Sequence, residues 1–592
     1  MKRRLCFCVV TLLVLTTSLS AQAGKIKANS AAQADEYCRR IQATRFLDFA
    51  TFGATKSGIT ALAQRIQELG SVEAACEEWI DQQYALPATY IEPLALRMQA
   101  DDGIDPLQTN AWVQRYRHHA FAHAAMGAPD QLRQRVTWAA SQIAVVSEHA
   151  YGSVTADGSG KPYYFAPTNY YDMLMSHAFG NYGAMLKGVS LHPTMGHYLS
   201  HVRNRKANEA ANIFPDENFA REIMQLFSVG LYELHPDGSL KRDGAGKLIP
   251  TYDNEDIKAF ARVFTGWKYA GDGFWARPNF HDQMEMYEDQ HDTEAKVLLN
   301  GTTLPAGQTG MEDLDGAIAN LMGHSSTAPF ISRRLIQRLV KSNPSRNYLA
   351  RVSQVWNNTN GDMKSVIKAI LLDAEVFNGI SFRKTQDGPG EWYVEVLNNG
   401  TEDSRLQEPT IRYFSLLRRF EPESNYPTGR FMMSDMSYHW TQAYMKSPSV
   451  FNFYLPDFQP PGEIVSYYAQ NTPDNVLYAP EYELLTAVTA TRILNRYRST
   501  IYNQRSIHTL LNNGTYEFRC DINLNFDDET ALASNPRALV DHLDMLLAKG
   551  NLSDEVRDLM ITALEEETTS NVARARAAIL CVKAAPQADV NR

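Results

Sequence analysis

Apolar residues recur along most of this chain at the three-and-four spacing that gathers them on one face of an α-helix. Ile59, Leu62, Ile66 and Leu69 follow that rhythm behind Thr55 and Ser57, whose hydroxyls suit a helix start. Leu132, Val136, Ala139, Ala140 and Ile143 repeat it, as do Val366, Ile367, Ile370 and Leu371. Leu543, Leu546 and Leu547 run to a stop at Gly550. Strand signals are sparse. The best lies between Leu234 and Thr251, where Asp237-Gly238 and Asp243-Gly244 are turn dipeptides and Lys247 to Ile249 form a short return arm. The pattern predicts a mainly α fold: a large multi-helix protein with a minor β-hairpin. No repeat of fixed period occurs, which argues against solenoids and propellers.

The polar stretch from Lys384 to Glu408 interrupts the helical pattern with Asp387-Gly388-Pro389-Gly390 and Asn398-Asn399-Gly400. It divides the chain into an N-terminal helical lobe, 24–390, and a C-terminal one, 391–592. At 592 residues two cores are expected rather than one, and the lobes can still pack as a unit.

Residues 1–23 stand apart from both lobes. Lys2, Arg3 and Arg4 precede an apolar run from Leu5 to Leu15, and Ala21-Gln22-Ala23 closes it in the small-x-small pattern of a cleaved signal peptide. The run gives way to Thr16, Thr17 and Ser18 well short of the roughly twenty apolar residues that a membrane span needs. The expected product is an extracytoplasmic protein, periplasmic or secreted, with no integral membrane segment after cleavage.

Cleavage removes three positive charges and takes the formal charge from −10 to −13. An acidic chain argues against nucleic acid as a partner, because that partner demands a basic footprint. Cys38, Cys76, Cys520 and Cys581 remain, an even set in an oxidising compartment, with Cys38–Cys76 and Cys520–Cys581 as the favoured disulfides. No Cys-x-x-Cys spacing, phosphate-binding glycine loop or Gly-x-Ser-x-Gly elbow is present, so no cofactor and no metal is assigned. His119 and His123 have the spacing of a metal pair but lack the glutamate of the His-Glu-x-x-His pattern.

Three segments can carry chemistry. In Pro215 to Phe227, Pro215 suits a first helical turn and Asp216 and Glu217 complement its positive end. Glu217, Arg221 and Glu222 then project beside the apolar stripe of Phe219, Ile223, Leu226 and Phe227, either as an acid/base pair tuned by a cation or as a salt-bridged face. In Thr251 to Trp267, Asp253 and Asp256 read as an N-cap and its acidic partner, and Arg262 and Trp267 are left without a structural role. In Gln290 to Lys296, His291 offers a titratable base, Asp292 an orienting carboxylate and Lys296 a cation. A surface turn explains the third segment equally well.

Taken in order, these segments resemble the bacterial family known as domain of unknown function 1800. The resemblance runs through Arg45 to Gly53, Tyr171 to Leu174 with His177 to Asn181, Glu217 to Glu222, Phe264 to Trp267, and His291-Asp292 with Lys296. It continues through Glu408-Pro409 with Arg412 and through Ser447 to Phe453, and so covers nearly all of the chain after residue 23. Asp216 stands where the family's asparagine is expected, and Glu294 where a glycine is usual, a position that often needs a positive φ. The resemblance implies a mainly helical exported protein encoded beside a sulfatase-like exported protein. It implies no established reaction.

Two functions fit these residues. One is an accessory or binding protein acting with an extracytoplasmic partner or polymer, in keeping with 29 Tyr and 25 Phe, although helix packing absorbs many aromatics. The alternative is a cofactor-free hydrolase or lyase on an extracellular glycan, with Glu217 or Glu222 as acid/base, Arg221 and Lys296 holding an anionic group, and Asp292 orienting His291.

Overall fold

The computed structural model describes residues 24–105, 114–151, 156–378, 380–398, 405–426, 428–433, 436–462, 476–503, 505–512 and 515–591. Residues 1–23, which read as a signal peptide, lie outside them. Helices begin where a side-chain oxygen takes one of the first unpaired N–H groups. Thr55 caps the Lys56–Leu69 helix through the Gly58 N–H, and Gly70 ends it in the left-handed region. Asp253 and Asp256 form a reciprocal capping box on the Asn254–Val263 helix. The protein is mainly α, with a few short antiparallel strands. Among the described residues no helix is long and apolar enough to cross a membrane.

The strands lie elsewhere than the dipeptides suggest. Tyr232 to Pro250 is held by isolated bridges, and Asp237 and Asp243 close its turns with their own carboxylates, accepting from the Ser239 and Ala245 N–H groups at 2.9 Å each. The longer hairpin pairs Ile380–Gly388 with Glu391–Asn398, inside the stretch that reads as a break. Lys25–Ala28 adds a third strand to it. The expected boundary between 390 and 391 falls at the turn, where Gly390 has φ of 78°. Charged outward positions made this segment read as polar. Val394 and Val396 face inward against Ala28, Ala34 and Ile41.

Most buried apolar residues belong to one cluster that runs from Ala43 to Ala588, so both sides of the hairpin share a core. At its centre Phe121 stacks on Tyr444 with ring centroids 4.6 Å apart and meets Phe52 and Phe414 edge-on at 5.8 and 6.0 Å. Gly53, with φ of 127°, lets the Ala31–Ala50 helix end against the Pro409–Arg419 helix, because a Cβ there would sit 2.3 Å from the Ser415 Cα.

Buried charges join the same elements. Asp48 takes Arg419 through both oxygens at 2.8 and 3.0 Å, and Arg418 donates to the Gly53 carbonyl at 2.6 Å. Glu408 is wholly buried and accepts from Trp138 Nε1 and Gln142 Nε2 at 2.9 Å, from Gln442 Nε2 at 2.8 Å and from Arg405 at 2.8 Å. Burial pushes its carboxyl pKa up, but Arg405 and Arg135 outweigh that and hold it below the usual range. Asn452 donates to Gln142 at 3.1 Å, which ties the Ser447–Phe453 segment to the same hub.

The expected Cys38–Cys76 disulfide is not formed. Both thiols are free, because they face different cores: Cys38 packs beneath the hairpin and Cys76 lies in the main cluster. Burial pushes the Cys38 thiol up to about 11. The side chain of Cys520, the expected partner of Cys581, lies outside the described residues.

Replacing Glu408 with alanine strands three neutral donors in a dry interior and takes from Arg405 one of its two carboxylates. The expected cost is about 3–5 kcal/mol, the range for breaking a buried ion pair by removing one partner. Thermal or denaturant unfolding of E408A against wild type measures it; unchanged stability excludes the hub role.

Candidate functional site

The His291 element is closed. Gly266, with φ of 88°, lets the chain turn out of the Asn254–Val263 helix directly against His291; a Cβ there would meet the His291 Cβ at 3.0 Å. The histidine is 0% exposed and both ring nitrogens are engaged, Nδ1 with the Thr265 carbonyl at 2.9 Å and Nε2 with Asp313 at 3.0 Å. Lys296 shares that Asp313 oxygen at 2.6 Å and also donates to the Glu294 carbonyl at 3.0 Å. Asp292 does not orient His291. It pairs with Arg262 through both oxygens, at 2.7 and 2.9 Å, and burial, which raises its pKa, is outweighed by that guanidinium. Neighbours in sequence point apart, so the carboxylate facing His291 comes from another helix, Gly310–Gly323. The Glu294 backbone has no positive φ; its N–H bonds Asp292 Oδ1 at 3.0 Å, so a glycine is not required.

The other three candidates sit on the Asn218–Gln225 helix, which starts later than Pro215 because Asp216 is held by Asn204 at 2.8 Å and bonds the Asn218 N–H at 2.8 Å. Arg221 and Glu217 form an i, i+4 surface pair at 3.5 Å. Glu222 turns inward, with Oε2 buried and unpartnered, and burial raises its pKa against the pull of Arg221. No hydrogen bond or ion pair joins Glu217, Arg221 or Glu222 to His291, Asp292 or Lys296 among the described residues. Arg262 is the Asp292 partner, and Trp267 is buried in a short strand pairing with Met286, lining no opening. The groove of about 560 Å³ along the Val72–Ala85 helix contains none of the candidates. Among the described residues no group of three His, Cys, Asp or Glu could hold a metal ion.

A second polar cluster escaped the sequence reading. Asp172 accepts from the Ile91 and Glu92 N–H groups at 2.7 and 2.8 Å and so starts the Ile91–Asp101 helix, which has no side-chain cap of its own. Burial pushes the Asp172 carboxyl up to about 8. Glu92, thus placed, accepts from Lys161 at 2.9 Å and Asn169 Nδ2 at 3.0 Å, and His281 Nε2 lies 3.4 Å from it without forming a hydrogen bond. His281 Nδ1 meets Asp157 at 3.2 Å, so two carboxylates flank the ring and favour its charged form. Burial alone would lower the His281 pKa, but Asp157 and Glu92 raise it above 6.5. Burial likewise opposes ionisation of Glu92 and Asp157, and His281 above all draws both down to about 2. Behind them His192 accepts from the Thr194 N–H at 3.2 Å and donates Nε2 to Asn169 at 3.0 Å, which sets the neutral tautomer. Burial lowers its pKa to about 3. These residues come from positions 92 to 281 with no local motif among them; the turn Asp157-Gly158-Ser159-Gly160-Lys161 was the one available signal.

His281 also anchors a loop. Lys268 closes its base by donating to Glu285 and to the Gly271 carbonyl at 2.6 Å each. Gly158 N and Asp157 hold its far end, at the Pro278 carbonyl and the Phe280 N–H, at 2.6 and 2.8 Å. Phe280 packs beneath, edge-on to Tyr151, Tyr163 and Tyr269. Trp275 at the tip is 66% exposed, with Arg203 and Arg205 5.5 and 5.7 Å from its ring centroid.

Fold and site together define a mainly helical protein that spends many of its buried charges on joining helices and leaves Trp275 open to solvent beside Arg203 and Arg205. The chain belongs to a family whose model, described as Protein of unknown function (DUF1800), matches residues 45–588. No curated protein and no solved structure matches it.

The His281 cluster makes stability depend on pH in both directions. A histidine more basic folded than unfolded contributes in full below pH 6.5 and loses that contribution as pH rises through its folded value. Glu92 and Asp157 contribute above their ordinary values of 4.5 and 3.8, and that is lost as pH falls through about 2. His281→Asn should cost about 1–3 kcal/mol at pH 6, the range for an unsatisfied buried group. Melting temperature followed from pH 5 to pH 9 (about pH 6.5 is the imidazole reference) should lose its alkaline decline in H281N; a decline that persists assigns it to another group.

Proposed function

We propose that the protein is exported and works as an accessory or binding protein, with an extracytoplasmic partner or polymer, in the periplasm or the medium. The contrast between its two kinds of polar site carries this reading. His291, Asp292 and Lys296, the intended base and its helpers, are spent in closed pairs with Asp313 and Arg262. The loop at Trp275 is held firmly at its base and open at its tip. The signal-like residues 1–23 support export, and the sulfatase-like exported protein implied by the family resemblance is one class of partner. Purification from the native host should bring down a stoichiometric protein partner or a bound polymer. A clean chain that retains neither overturns the reading.

One observation favours hydrolase or lyase chemistry instead. Glu222 has a buried, unpartnered oxygen, and burial raises its pKa against the pull of Arg221, the direction a general acid requires. If that chemistry operates, Glu222→Gln removes about 99% or more of any glycan turnover, since general acid–base catalysis contributes about 10²–10⁴-fold. Turnover unaffected in E222Q excludes it.

A further inference from the structure

Trp275 lies in an unusual setting for this chain. A lone exposed apolar residue needs no explanation, but here the neighbours are cations without counter-charges. Arg203, Arg205 and Arg277 form no ion pair with any described carboxylate, in a chain whose acids outnumber its bases by ten. Several other arginines do find carboxylates: Arg351 takes Asp373, Arg405 takes Glu481 and Arg557 takes Asp544. The loop's own Asp282 accepts from Asn279 instead, at 2.7 Å. Arg203 spans the rings of Tyr269 and Trp275, with its Nε buried and unpartnered. It also holds φ of 63°, a conformation unfavourable to a residue with a Cβ. Its N–H is fixed on the Trp267 carbonyl at 2.6 Å. Arg277 projects from the same loop as Trp275 and donates to the Ala156 carbonyl at 3.3 Å.

We propose that Trp275, Arg203, Arg205 and Arg277 form a binding site for an anionic polysaccharide. The inference rests on the binding-protein reading above and names its ligand. A pyranose ring offers an apolar C–H face that packs on an indole, and guanidinium groups match carboxylate or sulfate oxygens in paired hydrogen bonds. Trp275 is 66% exposed even with Arg203 and Arg205 over its ring, so much of the residue is open to solvent for a sugar to meet. A nucleic acid fits less well, because it calls for an extended basic surface and this chain is acidic overall. A protein partner fits less well too, because the groups over the indole are the cations Arg203 and Arg205 rather than the apolar side chains of an interface core.

The test applies the full chain to immobilised polygalacturonate, chondroitin sulfate and neutral dextran, at low and high salt, with DNA and anionic phospholipid vesicles as comparisons. The expected result is retention on the acidic glycans, weakening as salt rises, with about tenfold weaker binding in both Trp275→Ala and Arg205→Gln. Trp275 is exposed and Arg205 half-buried, and unchanged melting temperatures confirm that the variants fold. No retention on either acidic glycan, equal retention on dextran, or equal binding by the variants each overturns the site. So does a W275A-sensitive preference for DNA or vesicles. A host protein that co-purifies alike with wild type and W275A overturns the glycan site and leaves the accessory reading standing.

Discussion

A carboxylate shut away from water must be met by protein donors, and Glu408 is where this chain meets that demand most fully. Its partners come from positions 138, 142, 405 and 442, so the hub forms only when the Gln131–Ser141 helix, the start of the Pro409–Arg419 helix and the segment after Trp440 are all in place. Arg405 passes the constraint on to Glu481 at 2.8 Å. The same logic recurs at Asp48 with Arg419, at Asp541 and Asp544 with Arg557, and at Asp589 with Arg412 and Lys583. An apolar core tolerates several registers of helix packing, whereas an unmatched buried ion is costly. In this protein the networks favour one arrangement of the shared core.

The segments that identify the family are largely these joints. Arg45 to Gly53 supplies Asp48 and the close approach at Gly53, Tyr171 to Leu174 supplies Asp172, and the two C-terminal segments supply Glu408 and Asn452. Even the His291 element, rich in groups that look catalytic, joins the Asn254–Val263 helix to the Gly310–Gly323 helix through Arg262, Asp292 and Asp313. Chemistry-bearing residue types and ion-pair networks call for the same amino acids, and burial is what separates them.

The Trp275 loop shows the opposite use of the same materials. Its base is fixed by charges, Lys268 with Glu285 and His281 beside Glu92 and Asp157, while Arg203 and Arg277 at its tip donate to backbone carbonyls and pair with no described carboxylate. Rigid support beneath an open aromatic lowers the entropy lost when a ligand is bound. The binding reading and the ligand proposal both come from that division between base and tip.

Helix class, the Asp253–Asp256 capping box, the cap at Thr55 and the apolar faces were legible in the sequence because each depends on residues within about one turn of the helix. The hairpin at Ile380–Asn398 was not, since its Asp-Gly-Pro-Gly turn reads as a break between segments and the strand that extends it, Lys25–Ala28, lies more than 350 residues away. The six candidate residues could be named from local patterns, but whether they face each other could not. Asp313 displaced Asp292 as the partner of His291, and Cys38 and Cys76 parted, for the same reason: side chains near in sequence leave the backbone in different directions. Glu92, Asp157 and His281 meet only because three separate loops and helices converge. The sequence by itself determined the helical character of the chain; only the tertiary structure decided which charges are buried and which charge faces which, because both are set by contacts between distant segments.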